Sequence, residues 1–150
     1  MIKIQDALAN VNRLGMDTDA IIYFVEADAT YGTLLSNVFS RIDTGQFTGI
    51  ASTIALTETL VRPLRNKDAT QQQKIKNLLL NSQNMVSIPV DSATAEIAAD
   101  LRARYNMRTP DALHAATAIH TGCDAFLTNN GSDFRRISEL NVLVLSELRL

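Results

Sequence analysis

The amino-acid sequence predicts an α/β fold with a central parallel sheet of about five short strands and helices on both faces. Two observations support this prediction. Short apolar segments typical of buried strands alternate along the chain with longer segments of helical spacing. This alternation favours parallel strands joined by right-handed helical crossovers. No internal repeat, linker or low-complexity tract divides the sequence, so we expect one domain over residues 1–150.

Five apolar segments are predicted to form the strands of the sheet. They are residues 13–16, 48–51, 85–90, 125–128 and 142–145. In the third segment the apolar residues alternate with Ser87 and Pro89, which is typical of a half-buried strand. The fourth segment is followed by Asn129-Asn130-Gly131, a sequence that favours a turn. Polar residues therefore stand where several predicted strands end.

The segments between these strands carry apolar residues three and four positions apart, which predicts amphipathic helices. These helices cover residues 20–26, 29–43, 53–66, 68–81 and 92–105, with a helical turn at 133–138 and a short leading helix over 3–12. For residues 20–26 a strand is the alternative. Pro63 lies inside the 53–66 pattern, and we expect it to kink or shorten that helix because proline lacks the backbone N–H.

The composition limits the classes of function. Of the 150 residues, 46% are hydrophobic and 20% are charged, which is ordinary for a soluble globular chain. The formal net charge of −2 does not indicate a nucleic-acid binder, so a polyanionic substrate would need local arginines or a metal ion. A single cysteine excludes an intrachain disulfide. No signal peptide or membrane-spanning run is present, so we expect a cytoplasmic protein with no membrane contact.

The segment from residue 104 to residue 134 carries the most information about function. Thr109-Pro110 favours the start of a helix, with threonine as the N-cap, and Gly122 favours its end. Asp111 then lies in the first helical turn, where the helix dipole favours a carboxylate. The next strand ends at a polar cluster. Both features would lie at the carboxyl-end edge of a parallel sheet, where open α/β folds bind ligands.

Carboxylates occur at equivalent places along the chain. Asp17 ends the first strand, Glu58 lies in the helix after the second, and Asp111 begins the helix that leads into a later strand. Asn130 and Asp133 follow that strand. If these side chains converge, their mutual repulsion would raise some of their pKa values, and a divalent cation would remove the penalty. Oxygen ligands favour Mg²⁺ or Mn²⁺.

Four motifs in this order resemble those of PIN-domain ribonucleases. They are Asp17-Thr18 after a short strand, Glu58 within residues 52–60, Thr109-Pro110-Asp111, and Leu127-Thr128-Asn129-Asn130-Gly131-Ser132-Asp133-Phe134. The resemblance extends from about residue 13 to residue 145 and is greatest to compact prokaryotic members, including the toxins of VapBC-type toxin–antitoxin pairs. It implies metal-dependent endonucleolytic cleavage of RNA. It also implies homodimers and, for toxins, an antitoxin whose peptide blocks the site.

The resemblance implies roles for individual residues. The metal-site acids and catalytic residues would be Asp17, Glu58, Asp111 and Asp133, with the Asn130 amide as a further metal ligand and Thr128 as a hydrogen-bonding support. Asp19 stands where the family usually has a small polar residue, and it adds a carboxylate.

Two further side chains are candidates from their positions. Arg108 precedes the Asp111 helix and is the best candidate for binding a phosphate group of the substrate. His114 lies three residues after Asp111 on the same helix face, where it would either contact a phosphate or serve as a neutral, hydrogen-bonded core residue.

Two other functions compete with the nuclease. One is a non-catalytic binding module that kept the fold and lost the chemistry, which the extra Asp19 and the amide at Asn130 would allow. The other is a haloacid-dehalogenase-type phosphatase, because Asp17-Thr18-Asp19 has the D-x-D pattern of its nucleophile and acid. Against the phosphatase, no suitable lysine follows a core strand.

Overall fold

The computed structural model describes residues 1–150 and contains seven strands. In chain order these are β1 (Ile2–Lys3), β2 (Arg13–Met16), β3 (Thr48–Ser52), β4 (Met85–Ile88), β5 (Ala125–Thr128), β6 (Val142–Val144) and β7 (Leu148–Arg149). Strands β2 to β6 form one sheet in the spatial order β4-β3-β2-β5-β6, and every neighbouring pair is parallel. The predicted α/β class and five-stranded parallel sheet are confirmed.

Eight helices connect and flank these strands. They are α1 (Ile4–Ala7), α2 (Thr18–Val25), α3 (Gly32–Asp43), α4 (Thr53–Arg65), α5 (Ala69–Leu80), α6 (Ser92–Tyr105), α7 (Thr109–His120) and α8 (Gly131–Phe134). The segment predicted as helix or strand at 20–26 is helical. None of the helices combines the length and the apolar character that a membrane-spanning helix needs.

Helices pack on both faces of the sheet, so its central strands β2, β3 and β5 are almost entirely buried. The protein has two hydrophobic cores, one on each face of the sheet, and successive residues of β2 face them alternately. Leu14 and Met16 join the larger core, which includes side chains of α2, α3 and α5. Gly15 faces α7, and a Cβ atom there would lie 2.9 Å from the Ala118 Cβ. The missing side chain therefore lets the alanine-rich α7 lie close against the sheet, over a second core that includes Leu101 and Phe126.

The N-terminal prediction was too long. Helix α1 covers only residues 4–7, and the two residues before it form β1, which pairs in parallel with β7 near the C-terminus. Two-residue strands are too short to carry a hydrophobic period, so this second sheet was missed. The helical turn expected at 133–138 lies earlier, at Gly131–Phe134, because Asn130 caps it and its side chain accepts a hydrogen bond from the Asp133 backbone N–H.

The structure overturns two expectations about α4, namely that Pro63 shortens it and that the spacing of Leu56, Leu60 and Leu64 marks its inward face. Pro63 does not shorten the helix, which continues to Arg65. Proline cannot donate a hydrogen bond to the Thr59 carbonyl, but its ring is buried on the inward face of the helix and adds to the packing there. The buried face consists of Ala55, Thr59 and Pro63, whereas Leu64 is 57% exposed.

The topology brings the predicted polar residues to one edge of the sheet. β2 lies between β3 and β5, so the carboxyl ends of these three strands are adjacent. Asp17 follows β2, and Asn130 stands two residues beyond the end of β5. Helix α7 leads into β5 and so begins at this same edge. Such an edge, beside a central strand whose neighbours come from different parts of the chain, forms a crevice.

Candidate functional site

A polar pocket lies at the carboxyl-end edge of β2. Its lining side chains come from four parts of the chain, and all but one are polar: Asp17, Thr18, Asp19, Ile22, Glu58, Arg108, Asp111, His114 and Asn130. Six of the eight predicted site residues are among them. The other two, Thr128 and Asp133, do not line the pocket but are hydrogen-bonded to residues that do.

Asp17 is the most buried carboxylate of the pocket. The residue is 5% exposed and stands at the N-cap position of α2, yet its side chain makes no capping hydrogen bond. Its Oδ2 accepts a hydrogen bond of 2.5 Å from Thr128 Oγ1. Its buried Oδ1 has no hydrogen-bond partner. Burial raises the pKa of Asp17 to about 7, against the lowering effect of the Thr128 hydrogen bond.

Glu58 is held by two side chains. Its Oε1 accepts a hydrogen bond of 2.6 Å from Thr18 Oγ1 and lies 2.8 Å from His114 Nε2. An ionised carboxylate only accepts hydrogen bonds, so Nε2 carries a proton. The His114 hydrogen bond, followed by that from Thr18, lowers the pKa of Glu58 against the opposing effect of burial. Thr18 was not singled out from the sequence, although its place directly after Asp17 was the available signal.

His114 is a buried polar residue, 3% exposed, on the face of α7 that is directed at α4. Its Nδ1 is buried without a partner, so Nε2 makes both contacts of the ring, to Glu58 and, at 3.0 Å, to Thr18 Oγ1. Of the two alternatives drawn from the sequence, the structure favours the hydrogen-bonded core residue.

Asp111 forms an ion pair with Arg108. Arg108 Nε lies 3.2 Å from Asp111 Oδ2, and Arg108 Nη2 lies 3.5 Å from Oδ1. The Asp111 side chain is 12% exposed, whereas that of Arg108 is 77% exposed. Arg108, not Thr109, is the N-cap residue of α7, so the helix begins one residue earlier than predicted and Pro110 occupies its second position.

A hydrogen-bonded chain connects the end of β5 to the pocket. The Thr128 side chain donates to Asp17 and accepts from the backbone N–H of Asn130 at 2.9 Å. The Asn130 Nδ2 donates to Asp133 Oδ2 at 2.8 Å. Asp133 therefore reaches the pocket only through the amide of Asn130.

Asp19 adds a further carboxylate to the pocket lining. Burial raises the pKa of Asp19, and the nearby charges of Asp111 and Glu58 raise it further. Burial is the main cause of the raised pKa values of Asp17 and Asp19, and neighbouring carboxylates add to it; a bound cation would offset both effects by favouring the ionised forms.

The pocket has the ligand types for a hard cation but is not assembled around one. No three of the His, Cys, Asp and Glu side chains stand close enough together to hold a metal ion in their present positions. Each predicted acid instead forms a hydrogen bond or an ion pair with another side chain of the protein. The unpartnered Oδ1 of Asp17, with carboxylate and amide oxygens on the neighbouring elements, nevertheless fits Mg²⁺ or Mn²⁺ chemistry. Metal binding would require these side chains to exchange partners.

The family of the chain follows from a comparison of its sequence with family models. The model of the PIN domain matches residues 16–140. The chain belongs to the PIN-domain family. This match includes every candidate residue of the pocket. A comparison with curated proteins gives no match.

Solved structures share the PIN fold of this chain. A chain of VapBC2 from Rickettsia felis, solved bound to a promoter DNA fragment, is 20% identical with a TM-score of 0.71, over 88% of this chain and 98% of that one. A chain of a toxin–antitoxin complex from Klebsiella pneumoniae is 22% identical with a TM-score of 0.67, over 89% and 98%. VapC20 from Mycobacterium tuberculosis, a toxin that cleaves the sarcin–ricin loop, is 15% identical with a TM-score of 0.61, over 77% and 87%.

Proposed function

We propose that this PIN-domain protein is a divalent-metal-dependent endoribonuclease that hydrolyses RNA phosphodiester bonds and serves as the toxin of a toxin–antitoxin pair. The observation that carries the proposal is the meeting of Asp17, Asp19, Glu58 and Asp111 in one pocket, where Asp17 Oδ1 is buried without a partner. A buried, unpaired carboxylate oxygen is costly and is best explained by a ligand that it binds.

The metal ligands in this proposal are Asp17, Glu58 and Asp111, with the Asn130 amide as a further ligand. A bound Mg²⁺ or Mn²⁺ would activate water and stabilise the charge that develops on the phosphate oxygens. Thr128 holds Asp17 from one side by its 2.5 Å hydrogen bond. His114 and Thr18 hold Glu58. Asp133, the fourth predicted acid, orients the Asn130 side chain.

The proposed partners are RNA, a second copy of the chain in a homodimer and an antitoxin protein. Support for the antitoxin comes from the shared fold, because the VapBC2 and Klebsiella pneumoniae structures are toxin–antitoxin complexes. Support for RNA comes from VapC20, which cleaves the sarcin–ricin loop. Arg108 supplies a mostly exposed guanidinium at the pocket for a phosphate group.

The proposal is tested by combining calorimetry with an RNA cleavage assay. Wild-type protein should bind Mn²⁺ and cleave structured RNA, and a chelator should abolish cleavage. The Asp17→Asn variant should lose both properties. The Asp19→Asn variant removes a neighbouring carboxylate but keeps the three proposed ligand acids, so it serves as the matched control and should keep measurable Mn²⁺ binding.

The non-catalytic binding module is the second candidate, favoured by the lack of three acids close enough to hold a metal. It would be supported if wild-type protein and Asp17→Asn were equally unable to bind Mn²⁺. The phosphatase has less support, because no lysine lines the pocket. Turnover of a phosphate monoester, with trapping of an acyl-phosphate, would instead support that alternative.

A further inference from the structure

Arg108 is the only permanently cationic side chain that lines the acidic pocket. It stands at the N-cap of α7, three residues before Asp111, so the two side chains lie on the same side of the first turn. Two guanidinium nitrogens face the two carboxylate oxygens of Asp111, at 3.2 Å and 3.5 Å. The hydrogen bond to Asp111 raises the pKa of Arg108, and the charges of Glu58 and Asp133 add to this effect. The Arg108 guanidinium therefore supplies the positive charge beside Asp111 that a bound metal ion would otherwise supply.

We propose that Arg108 is an internal counter-ion that competes with the metal for Asp111 and, once displaced, binds a phosphate group of the RNA. This inference rests on the proposed metal-dependent nuclease function. It explains why four carboxylates line one pocket and yet no three of them stand ready to hold a metal ion. The guanidinium neutralises Asp111 until a divalent cation takes its place.

The competition follows from the geometry of the ion pair. Because both oxygens of Asp111 face the guanidinium, a metal ion that binds Asp111 becomes a second cation beside Arg108, and the repulsion between the two favours breaking these contacts. The exchange is easy, because the Arg108 side chain is 77% exposed and an ion pair open to water is weak. Removing the Arg108 charge should therefore strengthen metal binding by about two- to fivefold, the range expected for a weak exposed pair.

Displacement gives Arg108 a second role. The freed side chain is long, mostly exposed and anchored at the edge of the pocket. A guanidinium binds phosphate oxygens through two parallel hydrogen bonds, as it binds a carboxylate. The same residue would then weaken metal binding in the free protein and strengthen RNA binding in the metal-loaded protein. These opposite effects separate the proposal from a purely structural role.

The test uses the Arg108→Gln variant of the full chain, which keeps much of the side-chain length and removes the charge. Arg135→Gln is the matched control, because Arg135 is also exposed and ion-paired, with Glu147, but does not line the pocket. Mn²⁺ titrations by calorimetry at low ionic strength should show about two- to fivefold tighter binding for Arg108→Gln and no change for Arg135→Gln. Thermal unfolding checks that both variants are folded.

A second measurement follows the RNA. In saturating Mn²⁺, the Arg108→Gln variant should bind a non-cleavable RNA about tenfold more weakly than wild type, the loss expected for one charged hydrogen-bonding contact. Mn²⁺ binding that is equal or weaker in Arg108→Gln than in wild type overturns the competition. Unchanged RNA affinity overturns the second role. If neither wild type nor Arg108→Gln binds Mn²⁺, the proposed metal-dependent function fails, and this inference fails with it.

Discussion

His114 Nε2 lies 2.8 Å from Glu58 Oε1 and connects a buried position on α7 to a carboxylate on α4. The His114 side chain is 2% exposed, whereas that of Glu58 is 36% exposed. A ring packed inside the protein therefore joins Thr18 in fixing a side chain that is partly open to solvent. In a metal site, this kind of outer hydrogen bond orients the ligand and commonly changes metal affinity by about 10- to 100-fold.

The His114 contact predicts different results for two substitutions. His114→Gln keeps an amide donor close to the position of Nε2, whereas His114→Phe fills the volume without any donor. We expect His114→Phe to weaken Mn²⁺ binding by at least about tenfold and His114→Gln to restore most of the loss. Calorimetry measures the affinities, and thermal unfolding checks the fold. Equal Mn²⁺ affinity in the two variants would show that the hydrogen bond does not position Glu58.

Asp111→Asn should abolish RNA cleavage with little effect on stability. The lost ion pair with Arg108 is worth about 1 kcal/mol or less, because the arginine is largely in water. Relief of repulsion with Asp19 offsets part of this loss. The melting temperature should therefore stay within about 4 °C of wild type or rise. A larger fall would mean that Asp111 is mainly a structural residue.

Asp17 should make stability depend on pH in a defined direction. Its pKa rises from 3.8 in the unfolded chain to about 7 in the folded one, so the folded state holds the proton more tightly between these values. The free energy of unfolding should therefore fall as pH rises through this window. In denaturant titrations with a chelator, Asp17→Asn should gain stability relative to wild type as the pH rises from near 4 to about 7, and the gain should level off above that range. Parallel profiles for the two proteins would contradict the raised pKa.

Added Mn²⁺ extends the same prediction. Since the cation favours ionised Asp17, it should stabilise wild type most at the higher pH and should have little effect on Asp17→Asn. The comparison needs only the two proteins and the melting temperature with and without metal.

Asp133 is predicted to act through Asn130 and not by itself. Its Oδ2 accepts the Asn130 amide hydrogen bond at 2.8 Å, and the residue does not line the pocket. Asp133→Asn should therefore reduce Mn²⁺ affinity and RNA cleavage less than Asp111→Asn does. If Asp133→Asn is as inactive as Asp111→Asn, Asp133 is itself a metal ligand.

Asn130→Ala should cost about 1 kcal/mol of stability, because it removes the N-cap of α8. Thermal unfolding measures this loss.

Much of the fold could be predicted from local patterns. The segments that became β2 and β5 were predicted with their observed bounds, because short apolar runs end at clear turn residues. Their shared edge followed from the parallel topology. The pairing of β1 with β7 could not be predicted, since it joins two-residue segments from opposite ends of the chain. The inward face of α4 was also missed, because its leucines suggested a different face from the one that is buried.

The sequence by itself determined the α/β class, the order of the motifs and the edge at which the acids would meet, because these depend on local periodicity and on the direction of parallel strands. Only the tertiary structure decided which partner each acid has. Glu58 and His114 are 56 positions apart, and Asp17 and Thr128 are 111 apart. Such contacts depend on how α4 and α7 pack and on which rotamer each side chain adopts, and neither is encoded in residue spacing.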